Sequence, residues 1–278
     1  MRTSDFLLLV SGAMLWGTSG LAGATLASQG LGMLTVATLR LAVGGGVLLV
    51  GLALARRLHR LPRTRAAVSR VVITGVLAAA YQSCYFLAVQ MTSVSVATLV
   101  ALGAAPVLVA GATAVRTRRR PSSRTVVAIA LAVVGLVLLV GVSSGGERPV
   151  LGVALALVAA GAFATMTVAN RVPVVGLDPL ALTGTAFTLG AVILLPVTLV
   201  AATGGVPTAI SGWLLVAYLG VGPTAAAYVA YFAGLRTVPS TTASLLALLE
   251  PLTAALGAFV LRGEDLGAGG VVGAALLG

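Results

Sequence analysis

The chain contains no lysine, one cysteine and one histidine in 278 residues. Without lysine there is no phosphate loop of the Gly-x-x-x-x-Gly-Lys form, which excludes an ATP-driven pump within this chain. A single cysteine, Cys84, rules out an internal disulfide. Cys84 and the lone His59 together cannot build a zinc site of the usual kind, so no metal and no cofactor is expected. Charge is scarce as well. Only 8% of residues are charged and six are acidic, against roughly a quarter charged in a soluble protein. What remains is 59% apolar, with a mean hydropathy of +1.13. A stretch of about 20 apolar residues crosses a bilayer as a helix, and such stretches fill nearly the whole chain. Backbone groups in lipid must be satisfied internally, and the runs are continuous rather than alternating, which selects helices over a barrel. The expected fold is an all-α polytopic membrane protein.

Ten spans are expected, at about residues 5–25, 32–54, 70–90, 94–115, 124–143, 149–169, 179–201, 211–233, 239–260 and 266–278. The tenth run is too short to cross alone, and the expectation is a chain cut inside that helix. The N-terminal run has a short apolar core and a small-residue tail like a signal peptide. Asp5 and the continuation through Trp16 to Ala27 favour an uncleaved first span.

All 17 basic residues are arginine. With ten spans and the N-terminus inside, 14 of them fall on one side and two, Arg148 and Arg262, on the other, while Arg40 lies inside span two. That split is a positive-inside signal. It predicts a multi-pass protein of the inner (cell) membrane with a cytoplasmic N-terminus. The net charge of +11 is thus topogenic and suits a bilayer with anionic headgroups; arginines confined to short loops argue against a nucleic-acid partner. Oligomeric state is left open.

The chain also repeats itself. "YFLAVQMTSVSVATLVAL" (85–102) matches "YFAGLRTVPSTTASLLAL" (231–248) at six of eighteen positions, and "AAAY" precedes both, at 78–81 and 225–228. The halves are therefore residues 1–146 and 147–278, each of five helices. Five is odd, so equivalent helices run in opposite directions, giving two inverted repeats of the kind that rock about a midplane site. "MLWGTSG" in span one, "TLRLA" in span two and "LLEPLTAALGAFVLRGE" across span nine resemble the EamA-type transporters of the drug/metabolite transporter superfamily. The resemblance covers essentially the whole chain. It implies ten helices, cytoplasmic termini, export or exchange of small metabolites, and a central cavity lined by the first four helices of each half. The first-half counterpart of "RGED" is "RTRRR", a departure from the pattern.

Polar side chains at membrane depth face a cavity or another helix rather than lipid. Tyr81 and Tyr85 are four apart and share a helix face, with Gln82 adjacent; Tyr228 and Tyr231 are three apart and also share one. They are candidates for an aromatic cavity wall, with helix contacts or an interfacial belt as the alternative. Trp16 is too deep for a belt. Thr165, like Thr18, is a weaker candidate, since its hydroxyl can bond its own helix. Arg40 either snorkels to headgroups or binds an anionic group or Glu250. Glu250, followed by Pro251, sits near the middle of span nine, where an acidic group costs about 2.5–3.5 kcal/mol. It is neutral and hydrogen-bonded, or ionised and paired with Arg40, or alternates between states while binding a proton or a cationic substrate.

"GVSSG" (141–145) matches the Gly-x-Ser-x-Gly nucleophile pattern, but His59 lies in a loop on the opposite side. The expected function is a secondary transporter, not an enzyme, moving small metabolites or drugs by alternating access, with proton coupling as one option. The alternatives are an uncoupled facilitator, or a membrane enzyme or interaction protein. An enzyme needs catalytic groups clustered at one interface, and the sequence offers none.

Overall fold

The computed structural model describes residues 2–141, 148–201, 205–262 and 267–277. Most of "GVSSG", and Glu264 and Asp265, lie outside the described residues. Helices stand at each of the ten expected positions: α1 (Thr3–Ser28), α2 (Met33–Leu54), α3 (Arg65–Met91), α4 (Val94–Thr117), α5 (Ser123–Val140), α6 (Pro149–Asn170), α7 (Pro179–Ala201), α8 (Ile210–Gly234), α9 (Ser240–Leu246 and Leu249–Arg262) and α10 (Gly267–Leu277). Eight of them, α2 to α9, are long and apolar enough to cross a membrane. Beside them stand the 26-residue α1 and the 11-residue α10.

Side chains set several helix starts. Thr64, Ser93 and Ser122 each accept a hydrogen bond from the backbone N–H three residues on, at Ala67, Val96 and Thr125. These N-caps satisfy donors that a helix start leaves open. Asp178 does the same for Ala181 at the start of α7.

Two helices depart from the unbroken rods that hydropathy predicts. α8 carries a π-helical stretch at Gly220–Ala226, around Pro223, which lacks the N–H for a regular ladder. α9 breaks at residues 247–248. There Leu248 donates to Leu245 and Glu250 to Ala247, both three residues back. Pro251 cannot donate to the Ala247 carbonyl, so the Glu250 N–H takes it and the ladder tightens.

Helix packing is symmetric between the halves. α3 packs on α6 as α8 packs on α1; α4 packs on α6 as α9 packs on α1; α3 meets α7 as α8 meets α2. The pairs α2–α7 and α5–α10 are their own counterparts. Small residues allow the closest approaches, as membrane helix packing requires. A Cβ on Gly75 would lie 2.7 Å from the Ala186 carbonyl across the α3–α7 contact, and one on Gly273 would lie 2.5 Å from the Gly135 carbonyl across α5–α10. Gly44 and Gly45 of "AVGGG" and Gly273 of "GAGGVVG" likewise pack against neighbouring helices, as the composition of these runs predicts.

Candidate functional site

A cavity of about 250 Å³ lies at the centre of the bundle. Its lining comes from the later half of α1 (Trp16 to Gly23), the first half of α2 (Met33, Val36, Arg40), the later half of α3 (Tyr81 to Val89), the start of α4 (Val94, Thr98), and Glu250, Pro251 and Ala254 of α9. Since α1 and α3 start at the arginine-rich end, the cavity occupies the half of the bundle away from it.

An aromatic cluster forms the floor. The Trp16 ring lies 4.8 Å from that of Tyr228, 5.0 Å from Tyr231 and 5.9 Å from Phe163. Phe163 also meets Tyr81 at 5.8 Å, and Tyr81 stacks on Tyr85 at 6.1 Å. Such tilted and edge contacts each add about 0.5–1.5 kcal/mol beyond simple burial.

Below the floor, polar contacts close the arginine-rich end. Thr237 accepts from the Arg2 backbone N–H (3.2 Å) and donates to the Asp5 carboxylate (2.6 Å), joining the start of α1 to the α8–α9 turn. Arg171 donates to the Arg236 carbonyl (2.8 Å), and Arg70 to the Val172 carbonyl (2.6 Å). Thr74 and Asn170 hydrogen-bond between α3 and α6. Arg57 and Asp178 form the single ion pair among the described residues.

The structure therefore brings together seven of the nine candidate residues: Trp16, Arg40, Tyr81, Gln82, Tyr85, Tyr228 and Glu250 all line the cavity. Arg40 donates from Nε to the Thr224 hydroxyl at 2.8 Å. Thr224 belongs to the π-helical stretch of α8, so the irregular turn supplies a partner for the half-buried cation. Tyr85 shares a 2.8 Å hydrogen bond with Thr98. Arg40 and Glu250 face the same cavity without a direct ion pair between them; the fixed strut is not formed. The Trp16 indole N–H is fully buried and is the one such side-chain polar atom without a hydrogen-bond partner among the described residues. An orphaned donor of this kind costs about 1–3 kcal/mol. The residue that carries it stands in the cavity wall.

Two candidates lie elsewhere. Thr165 is exposed on the outer face of α6, because the helix turns Phe163, Met166 and Thr167 inward. Tyr231 is buried beneath the floor, hydrogen-bonded to Thr167 at 3.1 Å. Tyr231 thus belongs to the aromatic cluster without lining the cavity, and the reason is spacing. Tyr81 and Tyr85 are four apart, but Tyr228 and Tyr231 are three apart, so Tyr231 is rotated about 100° away from the position equivalent to Tyr85. Sequence reasoning missed Phe163 and Thr224. Phe163 was within reach, since the 147-residue offset that relates Tyr81 to Tyr228 also relates Trp16 to Phe163. Nothing in the sequence marks Thr224 as the partner of Arg40.

Comparison with known proteins adds three findings. The EamA-like transporter family matches twice, at residues 3–141 and 150–278. A protein of Bacillus subtilis (strain 168), described as uncharacterized transporter YwfM, is 31% identical over 277 residues, which are 98% of this chain and 90% of that one. A solved protein crystal structure superposes with a TM-score of 0.82 at 23% identity, over 100% of this chain and 94% of its own; at that identity it shows a shared fold alone.

Proposed function

Because the chain belongs to the EamA-like transporter family, we propose that it is a secondary transporter that exports or exchanges a small metabolite by alternating access. In this reading ten helices, arranged as two inverted five-helix repeats, span the cell membrane with the N-terminus in the cytoplasm. The arginine-rich end is cytoplasmic, and the conformation described here is closed on that side.

One observation carries the reading: a cation and a carboxylate, Arg40 and Glu250, line one aromatic-walled cavity at membrane depth without pairing. Isolated charges at that depth are costly and belong to ion or substrate pathways. Separate unpaired charges suit a site that holds a solute or a proton in part of a cycle better than a structural strut does. The discontinuity of α9 beside Glu250 fits as well, since broken helices beside a midplane site are a recurrent feature of secondary transporters. The symmetric packing supplies the second state: exchanging the two halves turns a bundle closed at one end into one closed at the other.

The test is transport by protein reconstituted in proteoliposomes against a labelled metabolite library, at several pH values. The expected result is saturable, pH-dependent flux that Glu250→Gln abolishes or makes independent of pH. Glutamine keeps size and hydrogen bonding but cannot ionise. Unchanged rate and pH dependence in a folded Glu250→Gln protein would remove Glu250 from the mechanism, and flux of the unsubstituted protein that is independent of pH and of any ion gradient would favour an uncoupled facilitator.

A further inference from the structure

A second concavity, of about 690 Å³, lies on the outside of the bundle between α8 and α9, with α1 as its floor. Met14, Thr18, Ala22 and Thr25 of α1 form the floor, and Leu215, Tyr218 and Leu256 stand among its walls. From Met14 to Thr25 the floor runs about 17 Å at 1.5 Å per residue. That is close to one leaflet, half of a hydrocarbon core about 30 Å thick. It lies in the half of the bundle away from the arginine-rich end, at the same depth as the cavity.

The groove is hydrocarbon in character although it contains hydroxyls. Tyr218 donates to Thr18 (2.6 Å), Thr18 to the Leu15 carbonyl (2.7 Å) and Thr253 to the Leu249 carbonyl (2.7 Å), so these groups are directed at the protein. The wall between groove and cavity is thin. Gly17 and Ala254 line both, and neither carries a side chain beyond Cβ.

We propose that this groove binds one acyl chain of a phospholipid from the leaflet opposite the arginine-rich loops, and that the chain completes the lateral wall of the central cavity. The surroundings select the occupant. At this depth the solvent is hydrocarbon, the groove is one leaflet long, and the hydroxyls of Thr18, Tyr218 and Thr253 are engaged within the protein. A chain lying there rests on Gly17 and Ala254, which also face the cavity, and it covers from outside the seam where α1 meets Glu250 and Thr253 of α9 in direct contact. The inference goes beyond the transport reading and uses no transport measurement, so either can fail without the other.

The test uses the full chain in phosphatidylcholine liposomes that contain a small fraction of phosphatidylcholine with a diazirine in one acyl chain. After irradiation, adducts are mapped by peptide mass spectrometry. Val192 and Leu195, exposed on α7 in the same half of the bundle, report ordinary lipid contact. Adducts at Met14, Leu215 and Leu256 should exceed those at the α7 positions severalfold. Val260→Trp, an exposed groove position, should lower labelling at Met14 and Leu215 toward the α7 level and leave α7 unchanged. Equal labelling of the two faces in the unsubstituted protein overturns the proposal, as does groove labelling that Val260→Trp leaves untouched while α7 labelling is normal.

Discussion

Thr237 is the sharpest place to perturb the closed end. Its hydroxyl accepts from the Arg2 backbone at 3.2 Å and donates to the Asp5 carboxylate at 2.6 Å. Valine has nearly the same shape and neither capacity, so Thr237→Val deletes both contacts with little change in packing. A hydrogen bond to a charged group contributes about 1.5–3 kcal/mol when well sequestered. Asp5 and Thr237 are only half-buried, and water competes for both, so about 1 kcal/mol is the reasonable figure for the closed state. Since 1.4 kcal/mol is a factor of ten, Thr237→Val should raise the population open at the arginine-rich end roughly fivefold. Ala78, buried in α3, is a suitable reporter as Ala78→Cys in a Cys84→Ser background. Alkylation by a membrane-impermeant maleimide added on the arginine-rich side should accelerate by the same factor, provided that opening is fast relative to labelling. Unchanged alkylation in a Thr237→Val protein of normal stability would mean that these contacts do not hold the end closed.

Four further outcomes follow from the geometry. Arg40→Lys loses the 2.8 Å Nε contact to Thr224 and any bidentate grip on a ligand; the apparent affinity for a transported anion-bearing solute should fall severalfold, and Thr224→Val should reproduce part of that loss. Trp16→Phe removes the orphaned indole N–H, so thermal stability in detergent should hold or rise by up to about 1–3 kcal/mol while transport falls; a drop in both would assign Trp16 to packing alone. Tyr231→Phe strands the Thr167 hydroxyl and should cost about 0.6 kcal/mol, the usual scale for interhelical hydrogen bonds in membranes, seen as a small fall in melting temperature with transport retained. Gly75→Val forces a side chain against the Ala186 carbonyl, 2.7 Å from the added Cβ, and should destabilise by about 1–3 kcal/mol.

Hydropathy and charge made the helix positions readable because lipid leaves the backbone few choices. Where Arg, Gly and Pro interrupt apolar runs, helices end in the structure within a few residues of the expected points. The symmetry of packing was foreshadowed by "AAAY" at 78–81 and 225–228. Local irregularity was not readable. The π-helical stretch around Pro223 and the break before Glu250 are local changes of backbone ladder, with Glu250 N–H taking the Ala247 carbonyl that Pro251 leaves open, and one-dimensional hydropathy does not encode them. Thr165 illustrates a second limit. In an α6 that is apolar all round, periodicity cannot say which face is inward, so it gives no ground for separating the exposed Thr165 from the buried Thr167. Arg57 and Asp178 illustrate a third: their ion pair joins two loops 121 residues apart in sequence, a distance no local pattern spans.

The contact between α2 and α7 is its own counterpart when the halves exchange. Thr38 and Thr198 share a 2.7 Å hydrogen bond there, and a Cβ on Gly45 would lie 2.5 Å from the Thr188 backbone nitrogen. Contacts such as α1–α8 and α3–α6 trade places as the bundle reverses, so each can be tight in one state and loose in the other. The α2–α7 seam has no such freedom, because it must fit itself in both. It is the fulcrum of the lever, and evolution has to satisfy two geometries with one set of side chains there. Drift should therefore be slowest at Thr38, Gly45, Thr188 and Thr198, even though none of them lines the cavity.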